Sequence, residues 1–411
     1  MLHQQKMLTF AKTKWRVLSK NKISILFLGA FCLLHIGCST TRNTPFTRAY
    51  HQLVVRYNLF FNAQQAYDEL LRVQTESFQD DFSEMLPIFP FVRLTEKTQR
   101  GGAFDTVVER MERAIRNHSI LSESGHEYNP FMKNVWLLLG KAHVQNQDYD
   151  DALAVFSHIA NLFRDDADVV AEAKVWTMRA YIETGRLCKA ENLANGLKEI
   201  ELSADLNALF AKTYAYLLFE KGKYAEAIPF LQKTIEFQRN NIQRRRLQFL
   251  LGQTFAAVGD NAAAFRTFES VHGMRTPHQL SLNATLQQAS VVSESQKPQM
   301  LRELHRLSRR AVNRGYLNQI HLAISDIYFR KNDTASAERH YALAQLSYTP
   351  FSPASPQFLF PFEASTFYFF NPQSVVQGRY EFQRLWGNRA LEDNWRTQNR
   401  QAILLIEPVE E

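Results

Sequence analysis

Residues 136–159 read WLLLGKAHVQNQDYDDALAVFSHI, and their spacing decides the fold. An apolar run beginning at Trp136 contains one small residue, Gly140, and ends at the polar triplet Asn146-Gln147-Asp148. Tyr149, Ala152, Phe156 and Ile159 then recur at separations of three and four. Such residues share one face of an α-helix, so the second half is an amphipathic helix with a single apolar stripe. Two helices joined by a tight turn must pack on each other. A small residue on the first, facing an alanine on the second, lets the axes approach closely.

The pattern returns four times. Met178 and Tyr181 lead through Gly185 to Ala190 and Ala194, and Ala215 and Leu218 lead through Gly222 to Ala227 and Leu231. Gly252 and Phe255 lead through Gly259 to Ala264 and Phe268, and Ser325 and Tyr328 lead through Asn332 to Ala337 and Tyr341. The alanines at 152, 190, 227, 264 and 337 are 37 or 38 apart except for the last step of 73, which leaves room for a degenerate pair around Leu280 to Arg314. Gly185, Gly222 and Gly259 fall just past the first helix of each pair, where a left-handed residue ends a helix. Asn332 can do the same. Trp, Leu-Gly and an aromatic, followed by Ala and Phe on a second helix, resemble the tetratricopeptide repeat, whose usual period is about 34 residues. The expected architecture is an all-α tetratricopeptide-repeat solenoid over residues 130–349, its units about one helical turn longer than usual.

The flanks read differently. Residues 50–76 suggest a helix pair broken near Asn62, joined by the loop EMLPIFPFVRLTEKTQRGG to a helix from Ala103 to Asn117. Pro87, Pro90 and Gly101-Gly102 exclude one continuous helix there, and the whole forms an N-terminal helical region, 50–129. Downstream, Pro350, Pro353, Pro356 and Pro361 end the solenoid, leaving an aromatic-rich C-terminal module at 350–411. It could seal the open apolar end of the array, which every such stack requires. It could also dock a partner through Trp386, Trp395 and Arg396, residue types that dominate binding hot spots.

The first 37 residues carry Lys6, Lys12, Lys14, Arg16, Lys20 and Lys22, and no acid precedes Asp68. An apolar run, ISILFLGAFCLLHIG, follows from Ile23 to Gly37. Fifteen helical residues reach only about 22 Å, short of a roughly 30 Å hydrocarbon core, so an export signal fits better than a membrane span. Gly37-Cys38-Ser39 closes the run like a lipoprotein cleavage site, although His35 stands where Leu is usual. The expectation is a signal peptide at 1–37, lipid on Cys38 and a tether at 38–49. Removing the leader takes six of the 48 basic residues and none of the 41 acidic ones, leaving 42 against 41. The basic balance therefore belongs to the leader and is no argument for nucleic acid. Cys32 departs with the leader and lipid would consume Cys38, so only Cys188 remains as a free thiol and no internal disulfide forms.

Two further stretches carry a more specific resemblance. One comprises Cys38, Arg48, Tyr50-His51, Arg56-Tyr57-Asn58 and Phe61-Asn62; the other comprises Phe367 to Pro372, Phe382, Trp386-Gly387, Arg389 and Glu392 to Arg396. Both resemble blocks of the periplasmic tetratricopeptide lipoproteins of the type IX secretion and gliding machinery of Bacteroidota, the PorW/SprE family. Members of that family continue past the second block with further repeats, so the resemblance implies a short form. It implies a lipoprotein on the periplasmic face of the outer membrane that binds protein subunits of the secretion machinery, supporting cargo secretion and possibly gliding motility. Two alternatives stay open: a helical-repeat lipoprotein of outer-membrane protein assembly, and a SusD-like glycan-binding lipoprotein. No acidic run follows Cys38 as a surface-export tag would require, which weighs against the last.

No phosphate-binding G-x-x-x-x-G-K-[ST], H-E-x-x-H, C-x-x-C or G-x-S-x-G occurs. The expectation is no enzyme, no cofactor, no metal, no nucleic acid and no small-molecule substrate. His143 and His158 read as packed or solvated, Cys188 as a partly buried small residue. Arg244-Arg245-Arg246 and the run Arg302, Arg306, Arg309, Arg310 and Arg314 could face an anionic partner, but a solvated helix face is the simpler reading. If the concave surface is lined by the first helix of each pair, its partner-facing positions are Lys141, Arg179, Tyr216, Phe219, Gln253, Asp326 and Phe329. Aromatics with both charge signs suit a protein surface.

Overall fold

The computed structural model describes residues 43–91, 101–123 and 125–347. Among them every regular element is helical, and the single extended pairing is a bridge between Leu121 and Glu127. Helix α1 (Pro45–Val54) passes through a π-helical turn (Val55–Phe60) into α2 (Phe61–Ser77), and α3 (Asp105–His118) packs against both. Six helix pairs follow: α4 (Met132–Gln145) with α5 (Tyr149–Leu162), α6 (Ala167–Glu183) with α7 (Leu187–Lys198), and α8 (Ala204–Glu220) with α9 (Tyr224–Phe237). Then come α10 (Asn241–Ala257) with α11 (Asn261–Val271), α12 (His278–Ser290) with α13 (Lys297–Ser308), and α14 (Leu317–Phe329) with α15 (Thr334–Leu346). Helices touch partners one or two places away in the chain, as in a solenoid. The pair α12–α13 fills the place left for a degenerate unit.

The same turn joins the two helices within five of the six pairs. Gly185, Gly222 and Gly259 take φ of 71°, 69° and 84°, and Gln147 and Asn332 take 62° and 59° at the equivalent positions. After each, an amide reaches back to a carbonyl of the preceding turn: Asp148 to His143, Arg186 to Tyr181, Lys223 to Leu218, Asp260 to Phe255 and Asp333 to Tyr328, at 2.8–3.0 Å. This is the Schellman closure that satisfies the orphan carbonyls of a helix end. The next helix often starts on an acid: Asp260 and Asp333 accept the amides of Ala263 and Ser336.

Within a pair, the small residue of the first helix receives a ring of the second. A Cβ on Gly140 would lie 2.4 Å from Phe156, and one on Gly252 would lie 2.6 Å from Phe268. Both rings are buried, as are Ala152, Ala190, Ala227, Ala264 and Ala337. In the last pair the small residue is Ser325, whose hydroxyl donates to the Ala337 carbonyl at 2.7 Å.

Several sequence expectations require correction. Residues 50–76 do not form a broken pair: helix runs from Pro45 to Ser77, and Asn62 lies inside it with its amide donating to Asn58 at 3.2 Å. Asparagine disfavours a helix interior but does not break one; the irregularity is the π turn, and the run stays helical because Val55, Ala63 and Tyr67 are buried on one side. That helix begins within the stretch read as a tether, with Thr44 and Thr47 forming a reciprocal cap. Cys188 is exposed, on the face of α7 away from Ala190 and Ala194. Cys38, the leader and residues 350–411 lie outside the described residues.

Two histidine groups tie elements together. His51 of α1 meets His118 of α3, Nδ1 to Nδ1 at 2.8 Å. His321 of α14 meets His340 of α15 at 3.2 Å, with the ring of His305 from α13 centred 5.1 Å from His340. Burial, then the neighbouring His51, pushes His118 down to about 4; burial, then His305, His321 and Arg339, does the same to His340.

Two outcomes follow. Gly252→Ala should lower stability by about 1–3 kcal/mol, because the backbone facing a buried ring has no room. Gly196→Ala, in a helix with nothing within 4 Å of the new methyl, should be neutral or stabilising by about 0.5–1 kcal/mol. Urea midpoints check both, and equal behaviour of the two variants would contradict the close-packing account. Secondly, the folded state holds these histidines neutral, whereas unfolded histidine titrates near 6.5. Their contribution is complete above that value and is lost as pH falls from 6.5 toward 4. The melting temperature should drop between pH 7 and 5, and less steeply in His118→Phe and His340→Phe; a rise would contradict the assignment.

Candidate functional site

A groove lined by first helices needs something to cover it where α8 stands at its centre, because that helix has little polar surface. In α8 the residues Phe210, Tyr214 and Tyr216 are buried along with Ala211, Ala215 and Leu218, which lie around the whole circumference. One side meets α9. The other is covered by the chain itself: the segment 79–91, QDDFSEMLPIFPF, lies as irregular, turning chain across α6, α8 and α10.

The contacts are specific. Asp80 receives a two-pronged bond from Arg246 of α10, Nη2 to Oδ1 at 2.7 Å and Nε to Oδ2 at 2.8 Å. Such a fork is the strongest geometry available to an arginine–carboxylate pair, and little of either side chain is exposed. Phe82 meets Phe249 edge to face, centroids 5.3 Å apart. Gln253 acts as a backbone clamp: its Oε1 accepts the Leu86 amide at 3.0 Å and its Nε2 donates to the Glu84 carbonyl at 2.8 Å. A primary amide thereby supplies what a neighbouring strand would otherwise supply. Leu86 and Ile88 are 1% and 2% exposed, so the segment is core.

Phe89 sits in a cage. The Arg179 guanidinium lies 3.9 Å from its centroid, the Lys212 ammonium 4.3 Å, and the Tyr216 ring 5.4 Å away edge-on. Cations over a ring face are attracted by its quadrupole. Tyr216 also donates to Glu183 at 3.0 Å, and that carboxylate approaches Arg179 at 3.8 Å. Burial first, then the charges of Arg179 and Arg246, pushes Lys212 down to about 7. Beside the cage a cleft of about 470 Å³ opens between Met85, Pro87 and Phe91 of the segment and Tyr216, Phe219 and Tyr224 of the pair α8–α9.

Four of the seven positions named from sequence thus converge: Arg179, Tyr216 and Gln253 hold the segment and Phe219 lines the cleft. Lys141 stands apart on α4, paired with Glu172 at 2.6 Å and 5.7 Å from the Trp176 ring. Asp326 and Phe329 belong to α14: Asp326 pairs with Arg330 at 2.7 Å, burial raising its pKa, and Phe329 is exposed. Trp386, Trp395 and Arg396 lie outside the described residues. Arg246 is not on a solvated face, as its run suggested, but buried; Arg244 donates to the Gln238 carbonyl. Arg302, Arg306 and Arg310 border a polar cavity of about 790 Å³ together with Glu269 and Glu303, and Arg306 pairs with Glu303 at 2.5 Å.

Sequence reasoning missed Lys212 and the segment. The signal was present: five of the seven residues in MLPIFPF are apolar besides the two prolines, and α8 has no polar stripe. Among the described residues no group of three or more His, Cys, Asp or Glu is placed to hold a metal ion, and no helix is long and apolar enough to cross a membrane.

No protein-family model and no curated protein sequence matches the chain. Among solved structures, a tetratricopeptide repeat protein from Parabacteroides merdae is 12% identical, covering 71% of this chain and 94% of its own, with a TM-score of 0.33. The apo quorum sensor NprR from B. thuringiensis is 12% identical over 80% of this chain and 94% of its own, TM-score 0.40. The TPR2AB-domain:pHSP90 complex of yeast Sti1 is 13% identical over 59% of this chain and 92% of its own, TM-score 0.21. At such scores the likeness carries no argument; the all-α repeat assignment rests on this chain's own turns and pairs.

Phe89→Ala should cost about 3–5 kcal/mol, the range for a buried aromatic emptied from a core, and open the segment to chymotrypsin. Wild-type stability with an unchanged digestion pattern would mean that the segment is not part of the core.

Proposed function

We propose that this chain is a non-catalytic scaffold that holds other proteins, working as a lipoprotein on the periplasmic face of the outer membrane in type IX secretion. The observation that carries the scaffold reading is that the inner face of α6, α8 and α10 is chemically a receptor for non-helical polypeptide. It already grips one through a side-chain amide that pairs with backbone, a forked arginine and an aromatic–cation cage. Its own segment occupies the centre of that face, so a partner is read at the accessible margins: the aromatic cleft around Phe219, Lys141 toward the first pair and Phe329 toward the last. Aromatic and charged groups in such settings make contact hot spots with proteins. The two blocks around Arg56-Tyr57-Asn58 and Asp393-Asn394-Trp395-Arg396 support the secretion-system reading by resemblance.

Deleting the gene should abolish secretion of cargo bearing the system's C-terminal signal domain; unchanged secretion with an intact machinery would overturn the secretion role. Cys38→Ser should shift the protein from the outer-membrane fraction to a soluble or mislocalised form, and wild-type fractionation of that variant would remove the anchor. Phe219→Ala should weaken capture of machinery subunits without lowering the melting temperature by more than a few degrees, since the ring is only partly buried.

A further inference from the structure

The first helix presents apolar side chains to the side away from the protein. Phe46, Leu53, Tyr57 and Phe61 are 52%, 56%, 65% and 51% exposed. Their separations of seven, four and four place them along one line of a helix. The opposite face, carrying Thr47, His51 and Val55, is buried against the protein. Leaving four large apolar groups in one row is costly in water, and contiguous exposed patches of this kind mark a surface with a partner.

We infer that this stripe lies on a phospholipid surface, holding the N-terminal helix in the plane of the membrane to which Cys38 would tether it. Charge and chain length select lipid as the occupant. From Cys38 to Tyr67 the sequence carries Arg42, Arg48 and Arg56 and no acid at all. The Arg56 guanidinium lies 5.4 Å from the Tyr57 centroid, at the edge of the stripe. Aromatic and aliphatic residues flanked by arginine form the interfacial pattern, in which rings enter the boundary between headgroups and acyl chains while cations meet phosphates. Six residues separate Cys38 from Pro45, so a lipid on Cys38 would keep the helix start within about 23 Å of the bilayer. The helix cannot be far from the surface, and its outward face has the chemistry of that surface. The consequence is orientation: a tether alone leaves the repeats free to tumble, whereas a helix seated along its length fixes which side of the solenoid faces the periplasm.

This inference rests on the anchor reading, and the two fail separately in one experiment. A benzophenone amino acid is placed in the full-length chain at Leu53, at Tyr57 and, as a control, at the exposed Glu236 on α9, in cells labelled with radioactive phospholipid. After irradiation of isolated membranes, positions 53 and 57 should yield lipid adducts at least about fivefold above position 236. Protein adducts alone at 53 and 57, or lipid adducts no more abundant than at 236, would overturn the inference. Mass spectrometry of the Cys38 peptide from the same samples reads the anchor independently. An unacylated Cys38 with lipid adducts at 53 and 57 would remove the anchor and keep the stripe; an acylated Cys38 without them would do the reverse.

Discussion

Helix α8 has almost no side to give to water, and that constraint organises the middle of the molecule. Its buried residues run around its circumference, from Phe210 and Tyr214 to Ala215 and Leu218. A helix that is apolar all round has to be covered all round. The sequence-adjacent α9 covers one side, approaching closely because Ala215 and Ala227 are small. The other side would be a bare groove were it not for segment 79–91, which returns from far upstream to fill it. The repeat supplies the helices, and the upstream loop completes their core.

Filling a groove with irregular chain poses a problem of its own, because extended backbone carries donors and acceptors that burial leaves without water. The segment answers it with few groups. Gln253 serves the Leu86 amide and the Glu84 carbonyl, and Asp80 meets the fork of Arg246. The cluster of Arg179, Lys212 and Arg246 on three successive first helices would be a repulsive stack alone. Asp80, Glu183 and the face of Phe89 offset it, and burial first, then the charges of Arg179 and Arg246, lowers the Lys212 pKa. The same chemistry explains why the inner face suits polypeptide: it is built to satisfy peptide groups.

Much of this was legible from residue order. The alanine spacing located the pairs, and the left-handed glycines located the turns, because both requirements are local: a Cβ either fits or it does not. Gln147 shows the limit, since a non-glycine residue takes the same φ when the Schellman bonds are strong enough to hold it. The π turn at Val55–Phe60 was read as a break near Asn62 because local composition registers an irregularity without saying whether the chain bends or bulges. What could not be read locally was the pairing of Asp80 with Arg246 and of Leu86 with Gln253, more than 160 positions apart. The groove positions were assigned by repeat register, but register says nothing of what fills the groove.

The account stands on segment 79–91 being part of the folded core, and the amide of Leu86 reports on this directly. In native-state hydrogen exchange at pH 7 it should be as slow as the amides of Leu217 and Leu250 in the helices beneath it, because Leu86 is itself buried and its amide is held by the side chain of Gln253. Exchange at the rate of an open loop would contradict the account, and with it the reading of the inner face as a built receptor for polypeptide.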